Sequence, residues 1–185
     1  MTRNTVSRSL HDVGLAAWFG GTLANSVALN PAAAEAATSE STGAVANAGW
    51  DRWTPVNAAA IGAHVVGSLG QLAGNRSRIA GQRGVASMAL AKTGLTAAAL
   101  GVTGYSRLLG RTVSAHGAVP AASATDPTVG TPPEVARAQK RLDTLQWAVP
   151  ALTGALVVLS AFAGEQQRPS EATGGVLRRL VPGLR

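Results

Sequence analysis

Two ionisable side chains within otherwise uncharged stretches, His64 and Lys92, are the residues of this sequence most able to do chemistry. A lysine at the centre of a membrane-spanning helix costs roughly 2.5 to 3.5 kcal/mol, so an ionisable residue in such a place usually has a function. At a rise of 1.5 Å per residue, His64 lies about 15 Å from Gly74 and Lys92 about 12 Å from Gly84. We therefore expect both side chains at a similar depth, where they would line a polar path.

Both residues also have structural interpretations. The long stem of Lys92 can carry its ammonium group to the nearer membrane surface, and His64 can be a neutral imidazole hydrogen-bonded to a neighbouring helix. Asp12 is the third member of this candidate intramembrane polar site, because a Lys92 side chain that bends toward it would form an ion pair. Alternatively, Asp12 only stabilises the N-terminal dipole of its own helix.

The sequence contains no recognisable catalytic or cofactor motif. It has no cysteine, which excludes disulfides, thiolate zinc sites, cysteine nucleophiles and cysteine-ligated iron–sulfur clusters. It has no phosphate loop, zinc-binding helix motif, nucleophile elbow or dinucleotide fingerprint. His11, His64 and His116 are expected at three different depths, so no two of them would share a metal ion or a haem. We predict no catalytic, metal or cofactor-binding residue and no enzyme activity.

Four uncharged or nearly uncharged windows dominate the chain of 185 residues. Charged residues make up 14% of the sequence and hydrophobic residues 46%, whereas a soluble domain has about 25% charged residues. Each window is about as long as the roughly 17 to 25 residues that a helix needs to cross a bilayer. We predict an all-α, four-transmembrane-helix bundle in the cell membrane, with spans at 13–29, 54–74, 84–106 and 144–164.

Positive charge is concentrated on the segments that would lie together on one side of the membrane. Residues 1–12, 75–83 and 165–185 carry arginines, as cytoplasmic segments do, whereas 30–53 has one arginine against three acidic residues. Residues 107–143 are basic but long, and charge constrains long loops less. We therefore predict both termini in the cytoplasm and external loops at 30–53 and 107–143. We also predict an amphipathic helix just before the fourth span and a basic tail that contacts anionic lipid or is disordered.

Aromatic and small residues are placed as in a membrane bundle. The aromatic residues at the predicted external ends of the spans are Trp50, Trp53, Tyr105 and Trp147. They would form a belt at one membrane interface, unless they are ordinary core aromatics. Small residues recur at helical spacing, including Gly67, Gly70 and Gly74 in the second window and Gly94 and Gly101 in the third. Since helices in lipid associate by close backbone approach, these stripes predict grooves for neighbouring helices.

Two features have competing explanations. The windows are rich in alanine and glycine and insert less readily than leucine-rich ones, so a soluble bundle of apolar helices is the alternative. The first window, with its basic start and the small residues near Ala34, also resembles a cleavable signal peptide. The Ala/Ser/Thr-rich residues 31–49 and the Pro/Ala/Thr-rich residues 115–133 are expected to be flexible external loops.

The first window also carries a family resemblance. His11-Asp12-Val13-Gly14 followed by Trp18-Phe19-Gly20-Gly21 resembles the first span of small, uncharacterised bacterial four-helix membrane proteins. A related His…Trp-x-Gly-Gly pattern begins spans in copper-resistance-type membrane proteins. The resemblance covers about one span and implies a membrane bundle without assigning a site, and the alanine-rich composition is typical of an actinobacterial source.

These observations favour a non-enzymatic accessory or interaction subunit of the membrane, which would contact lipid, other membrane proteins or a second copy of itself. The first alternative is a small-solute or proton-coupled transporter that uses His64 and Lys92. The second is a soluble, basic helical protein that binds nucleic acid, because the net charge is +7. Nucleic acid is not the expected partner, since the charges lie at segment ends and only 4% of residues are aromatic.

Overall fold

The computed structural model describes residues 4–81 and 83–165, and within them the protein is an all-helical bundle without β-strands. Helix α1 (Thr5–Ala24) continues through a π-helical segment (Asn25–Leu29) into α2 (Asn30–Ala33). The remaining helices are α3 (Ser39–Gly74), α4 (Arg76–Gly81), α5 (Arg83–Ala115) and α6 (Pro133–Glu165). The predicted all-α class is confirmed, and each predicted window lies within helical structure.

The long helices pack on one another around the bundle, α3 on α1, α1 on α6 and α6 on α5. The fourth side, where α3 faces α5, is closed by few contacts. We call the facing surfaces of these two helices the seam. A single core layer joins all four long helices, and it consists of Trp18, Ala60, Ala99 and Val149.

Two of the described helices, Gly84–Ala115 and Pro133–Gly164, are long and apolar enough to cross a membrane. Helix α5 turns little of its surface into the bundle, and Leu90 and Leu108 on it are 74% and 60% exposed. Helix α6 likewise exposes Phe162, at 59%. The finding agrees with two of the four predicted spans by length and composition alone.

The predicted external loop at 30–53 differs from the structure, because only residues 34–38 of it lie outside helices. Helix α3 begins at Ser39 and includes Trp50 and Trp53. Thr38 caps it, since its side chain accepts a hydrogen bond from the Ser41 backbone N–H while the Ser41 hydroxyl accepts from the Thr38 N–H. This capping box satisfies two backbone donors and allows the Ala/Ser/Thr-rich stretch to be helical rather than flexible.

The second predicted loop, 107–143, is also largely helical. Its first residues extend α5 to Ala115, and its last ones begin α6 at Pro133, so the predicted helix before the fourth window is continuous with it. Residues 116–132 fold against the helix ends: Val119 packs in a buried cluster with Val135, and the Ala121 N–H donates to the Ser39 carbonyl at 3.1 Å. This connection is therefore an ordered cap rather than a flexible loop. The predicted basic tail lies, from residue 166 onward, outside the described residues.

The second predicted window meets α1 through its small residues. A side chain at Gly67 would meet the backbone of Ser7 and His11, and one at Gly14 would meet that of Ala60 and His64. Gly94 and Gly101 of α5 instead have nothing within 4 Å. The glycine stripe of α3 therefore forms a groove for a neighbouring helix, as predicted, whereas the stripe of α5 faces away from the bundle.

Prolines account for an unusual contact between α1 and α6. Pro31 has no N–H and its ring crowds the carbonyl four residues earlier, which explains the wider π-helical turn before it. Pro150 in α6 likewise leaves the carbonyl of Gln146 without a helical donor. The Ser26 hydroxyl, in the π-helical segment, lies 2.8 Å from that carbonyl and 3.0 Å from the Thr22 carbonyl of its own helix, and its single proton donates to the nearer of the two. One helix thus supplies the hydrogen bond that proline removes from its neighbour.

We expect Ser26→Ala to lower the free energy of unfolding by about 1 kcal/mol, because the partly buried Gln146 carbonyl loses its donor. In a Pro150→Ala background the helical N–H is restored, so the same serine replacement should cost at least about 0.5 kcal/mol less. Unfolding of the four proteins in detergent completes this double-mutant cycle. Equal costs in the two backgrounds would contradict the interpretation.

Candidate functional site

His64 is completely buried at the point where α1, α3 and α5 meet. Its Nδ1 lies 3.4 Å from the carbonyl oxygen of His11, and its Nε2 lies 3.4 Å from the Thr96 hydroxyl. A carbonyl can only accept, so Nδ1 carries the proton toward His11, and a neutral ring can then accept from Thr96 at Nε2. The predicted hydrogen bonding of His64 to neighbouring helices therefore fits the geometry.

His11 lies beside His64, with ring centroids 4.6 Å apart. The expectation that these two histidines lie at different depths is wrong. Helix α1 begins at Thr5, and the Asn4 side-chain amide donates to the Gly70 carbonyl at 3.1 Å. The start of α1 is therefore level with the end of α3, and His11 lies about two helical turns further into the bundle.

Of the two interpretations of Asp12, the ion pair with Lys92 is not formed. Asp12 is 59% exposed, and its Oδ1 lies 2.7 Å from Nδ1 of the neighbouring His11. Lys92 forms no ion pair or hydrogen bond with any residue in the described ranges. Asp12 thus orients the His11 ring, and the Lys92 ammonium group has no carboxylate partner in the described chain.

Lys92 lines a cavity of about 300 Å³ in one half of the seam. We call this the Lys92 cavity. Its walls are mostly apolar, with Leu69 and Leu72 from α3 and Met88 from α5. The lining residues whose side chains can donate or accept hydrogen bonds are His11, Ser68, Gln71, Asn75, Lys92, Thr93 and Thr96. The structure therefore brings Lys92 to the same region as His11 and, through Thr96, as His64.

A second cavity of about 350 Å³ occupies the other half of the seam. We call it the Arg107 cavity after its charged residue. Arg107 Nη2 lies 3.6 Å from Asp51 Oδ1, and Asp51 is 55% exposed. The other polar residues that line this cavity include Asn47, Trp53, Asn57, Thr103 and Ser106. Sequence reasoning missed Arg107 because it treated the residue as part of a basic external loop.

One apolar layer lies between the two cavities. Leu100 lines both of them, and Ile61 lines the Arg107 cavity. Both residues pack against the core layer that contains Trp18. The Trp18 ring lies 6.0 Å from that of His64. We call Ile61, Leu100 and the core layer the barrier, and His64 lies against it on the side of the Lys92 cavity.

Several seam residues carry buried polar atoms without a hydrogen-bond partner in the described chain. In the Arg107 cavity these atoms are Trp53 Nε1, Asn57 Oδ1, Thr103 Oγ1 and Arg107 Nε, and in the Lys92 cavity His11 Nε2 and Gln71 Nε2. A buried polar atom without a partner costs about 1 to 3 kcal/mol. The seam is therefore a place where polar groups remain available to a ligand or to a different packing of α3 on α5.

The predicted aromatic belt divides into two pairs. Trp50 donates from Nε1 to Asn30 Oδ1 at 3.0 Å and, with Trp53, lines the Arg107 cavity. Tyr105 and Trp147 are 41% and 51% exposed, and the Tyr105 hydroxyl accepts a hydrogen bond from Arg141. The tryptophans of α3 thus face the interior of the bundle, whereas Tyr105 and Trp147 are exposed on its outer surface.

No group of three or more His, Cys, Asp or Glu residues able to hold a metal ion occurs in the described ranges 4–81 and 83–165. His116 lies apart from the other two histidines, exposed at the end of α5. No family model matches the chain, and neither a curated protein nor a solved structure matches it significantly. Function therefore has to be argued from the seam.

Proposed function

We propose that this protein is a multi-pass membrane protein that carries a small polar solute along the seam between α3 and α5. The observation that supports the proposal is the pair of cavities at opposite ends of the seam, with the barrier between them. A path that is hollow at both ends and closed in the middle is what alternating access to a central barrier requires. Lys92 would line this path on one side of the barrier and Arg107 on the other, and the buried His64 lies beside the Lys92 cavity without lining it.

The membrane setting is supported by apolar surface that the bundle does not cover. Helices α5 and α6 are long and apolar enough to cross a membrane, and both expose large hydrophobic side chains. Such surface is unfavourable in water and favourable among acyl chains. Helices α1 and α3 complete the walls of the seam, so in this proposal all four long helices cross the plasma membrane with both termini in the cytoplasm.

A carbonate wash of isolated membranes tests the setting. An integral protein is expected to remain in the pellet and to need detergent for extraction. Recovery as a monodisperse protein in plain buffer would contradict the membrane proposal and the solute path with it. If the soluble material also bound DNA with strong salt dependence, the nucleic-acid alternative would be favoured instead.

Cysteine modification tests the path itself, because the native chain has no cysteine and each variant carries one reactive site. We expect proteoliposomes to take up at least one of formate, glycerol or methylammonium faster than protein-free liposomes. In Ser68→Cys and Thr103→Cys, which place a thiol in the Lys92 and Arg107 cavities, a bulky thiol reagent should block most of this uptake.

The matched control is Gly101→Cys, on the same helix as Thr103 but with open space around it. The reagent should leave uptake by this variant unchanged. Uptake that is equally sensitive, or equally insensitive, in all three variants would contradict a path along the seam.

The accessory or interaction subunit is the second candidate function. It is favoured by the sparse contact between α3 and α5, since a partner helix could complete that side of the bundle. Reconstitution of the purified chain separates the two, because an accessory subunit alone would not accelerate uptake of any of the three probes. In either proposal the protein has no enzyme activity of its own.

A further inference from the structure

We infer that the solute carried along the seam is a small anion. This inference rests on the proposed function and names the chemical class of its substrate. Within the described ranges, the charged residues that line the two cavities are Lys92 and Arg107, one in each. Among the described residues, no aspartate or glutamate lines either cavity. A path lined by one sign of charge concentrates ions of the opposite sign.

Each of these cations has one carboxylate in its neighbourhood, and neither carboxylate lines a cavity. Asp51 approaches Arg107 only to 3.6 Å, from a position that is 55% exposed, and Arg107 Nε keeps no partner in the described chain. Asp12 is 59% exposed, and its Oδ1 contacts Nδ1 of His11 at 2.7 Å while no ion pair joins it to Lys92. Solvent screens exposed carboxylates more than it screens the half-buried cations, so each cavity retains a positive potential.

The neutral groups of the cavities complement an anion that has lost part of its water. Trp53 Nε1 is a donor without a partner in the Arg107 cavity, and Gln71 Nε2 is one in the Lys92 cavity. The hydroxyl groups of Thr93 and Thr103 can donate as well. A water molecule occupies about 30 Å³, so cavities of about 300 and 350 Å³ have room for a compact anion with several waters.

The barrier restricts which anions can pass from one cavity to the other. Ile61 and Leu100 offer no polar group, so an ion passing between the cavities must leave most of its water behind. The cost of that desolvation rises steeply with charge. Compact monovalent anions, such as formate, nitrate or acetate, are therefore favoured over sulfate.

Uptake by proteoliposomes tests the selectivity, measured with formate, nitrate and sulfate as anions, glycerol as a neutral probe and methylammonium as a cation. We expect formate and nitrate to enter fastest. Lys92→Gln and Arg107→Gln should each slow anion uptake by about tenfold or more, the lower end of the range that charge focusing provides. Lys92→Arg and Arg107→Lys keep the charge and should retain most of the uptake, which separates loss of charge from misfolding.

Arg111→Gln is the matched control, since Arg111 is an exposed arginine one turn further along α5 that lines neither cavity. It removes the same charge and should leave uptake unchanged. Faster uptake of glycerol or methylammonium than of formate would overturn the anion inference and leave the path intact. Anion uptake that is insensitive to both glutamine variants would also overturn it. No uptake of any probe would instead contradict the proposed function.

Discussion

Proteoliposomes containing His64→Ala are expected to take up the transported solute about tenfold faster than the parent, with reduced selectivity. The ring of His64 fills the space between His11, Trp18 and Thr96 at the edge of the barrier. Its removal extends the Lys92 cavity toward Leu100 and so shortens the apolar stretch that the solute must cross. Each 1.36 kcal/mol removed from the activation free energy raises the rate of uptake tenfold. Initial rates of uptake for formate and glycerol measure both effects.

Two further histidine variants make this result specific. His64→Gln keeps a donor and an acceptor of similar reach, so its uptake should lie between those of the parent and of His64→Ala. His116→Ala makes the same change as His64→Ala at an exposed position and should behave as the parent. If His64→Ala folds and its rates and selectivity equal those of the parent, His64 does not close the path.

The second large effect is expected on stability. Gly67→Leu should lower the free energy of unfolding by about 3 kcal/mol or more, because overpacking a closely packed contact forces the backbone to move. The added side chain would meet the backbone of Ser7 and His11, so α1 would have to separate from α3. Thermal unfolding in detergent, with size-exclusion chromatography as a test of assembly, measures the loss.

Gly101→Leu is the matched variant for that experiment. It makes the same change on α5, where no atom lies within 4 Å of the added Cβ, and leucine is a better helix former than glycine by nearly 1 kcal/mol. We expect it to be neutral or slightly stabilising. Equal losses at the two positions would mean that the α1–α3 contact is not the close approach described above.

The helices could be predicted from the sequence because uncharged windows of this length have few other stable structures. The windows 13–29, 54–74, 84–106 and 144–164 all lie within helical structure. The extension of α3 back to Ser39 was also readable in principle, since Thr38, Glu40 and Ser41 form a helix start. The low complexity of residues 31–49 instead favoured a flexible loop, and the helix-start pattern within it was the stronger physical signal.

The arrangement of the site could be predicted only in part. The similar depth expected for His64 and Lys92 agrees with the Thr96 contact and the shared region of the seam. The place of His11 depends on the register of α1 against α3, which the close approach at Gly14 and Gly67 determines. One sequence does not specify which helices are neighbours or at which residues they cross, so the cavities and the role of Arg107 could not be foreseen.

The sparse closure of the seam has a mechanical consequence. The bundle consists of two closely packed helix pairs, α1 with α3 and α5 with α6, which touch mainly along α1 and α6, where Phe19 lies against Gly154. Rocking about an axis that crosses the bundle at this level, perpendicular to the helices, would move the two ends of α3 in opposite senses. Since α3 is about 54 Å long, a tilt of about 5° about its middle shifts each end by about 2 Å. In the proposed path, such a motion would widen one cavity while it narrows the other.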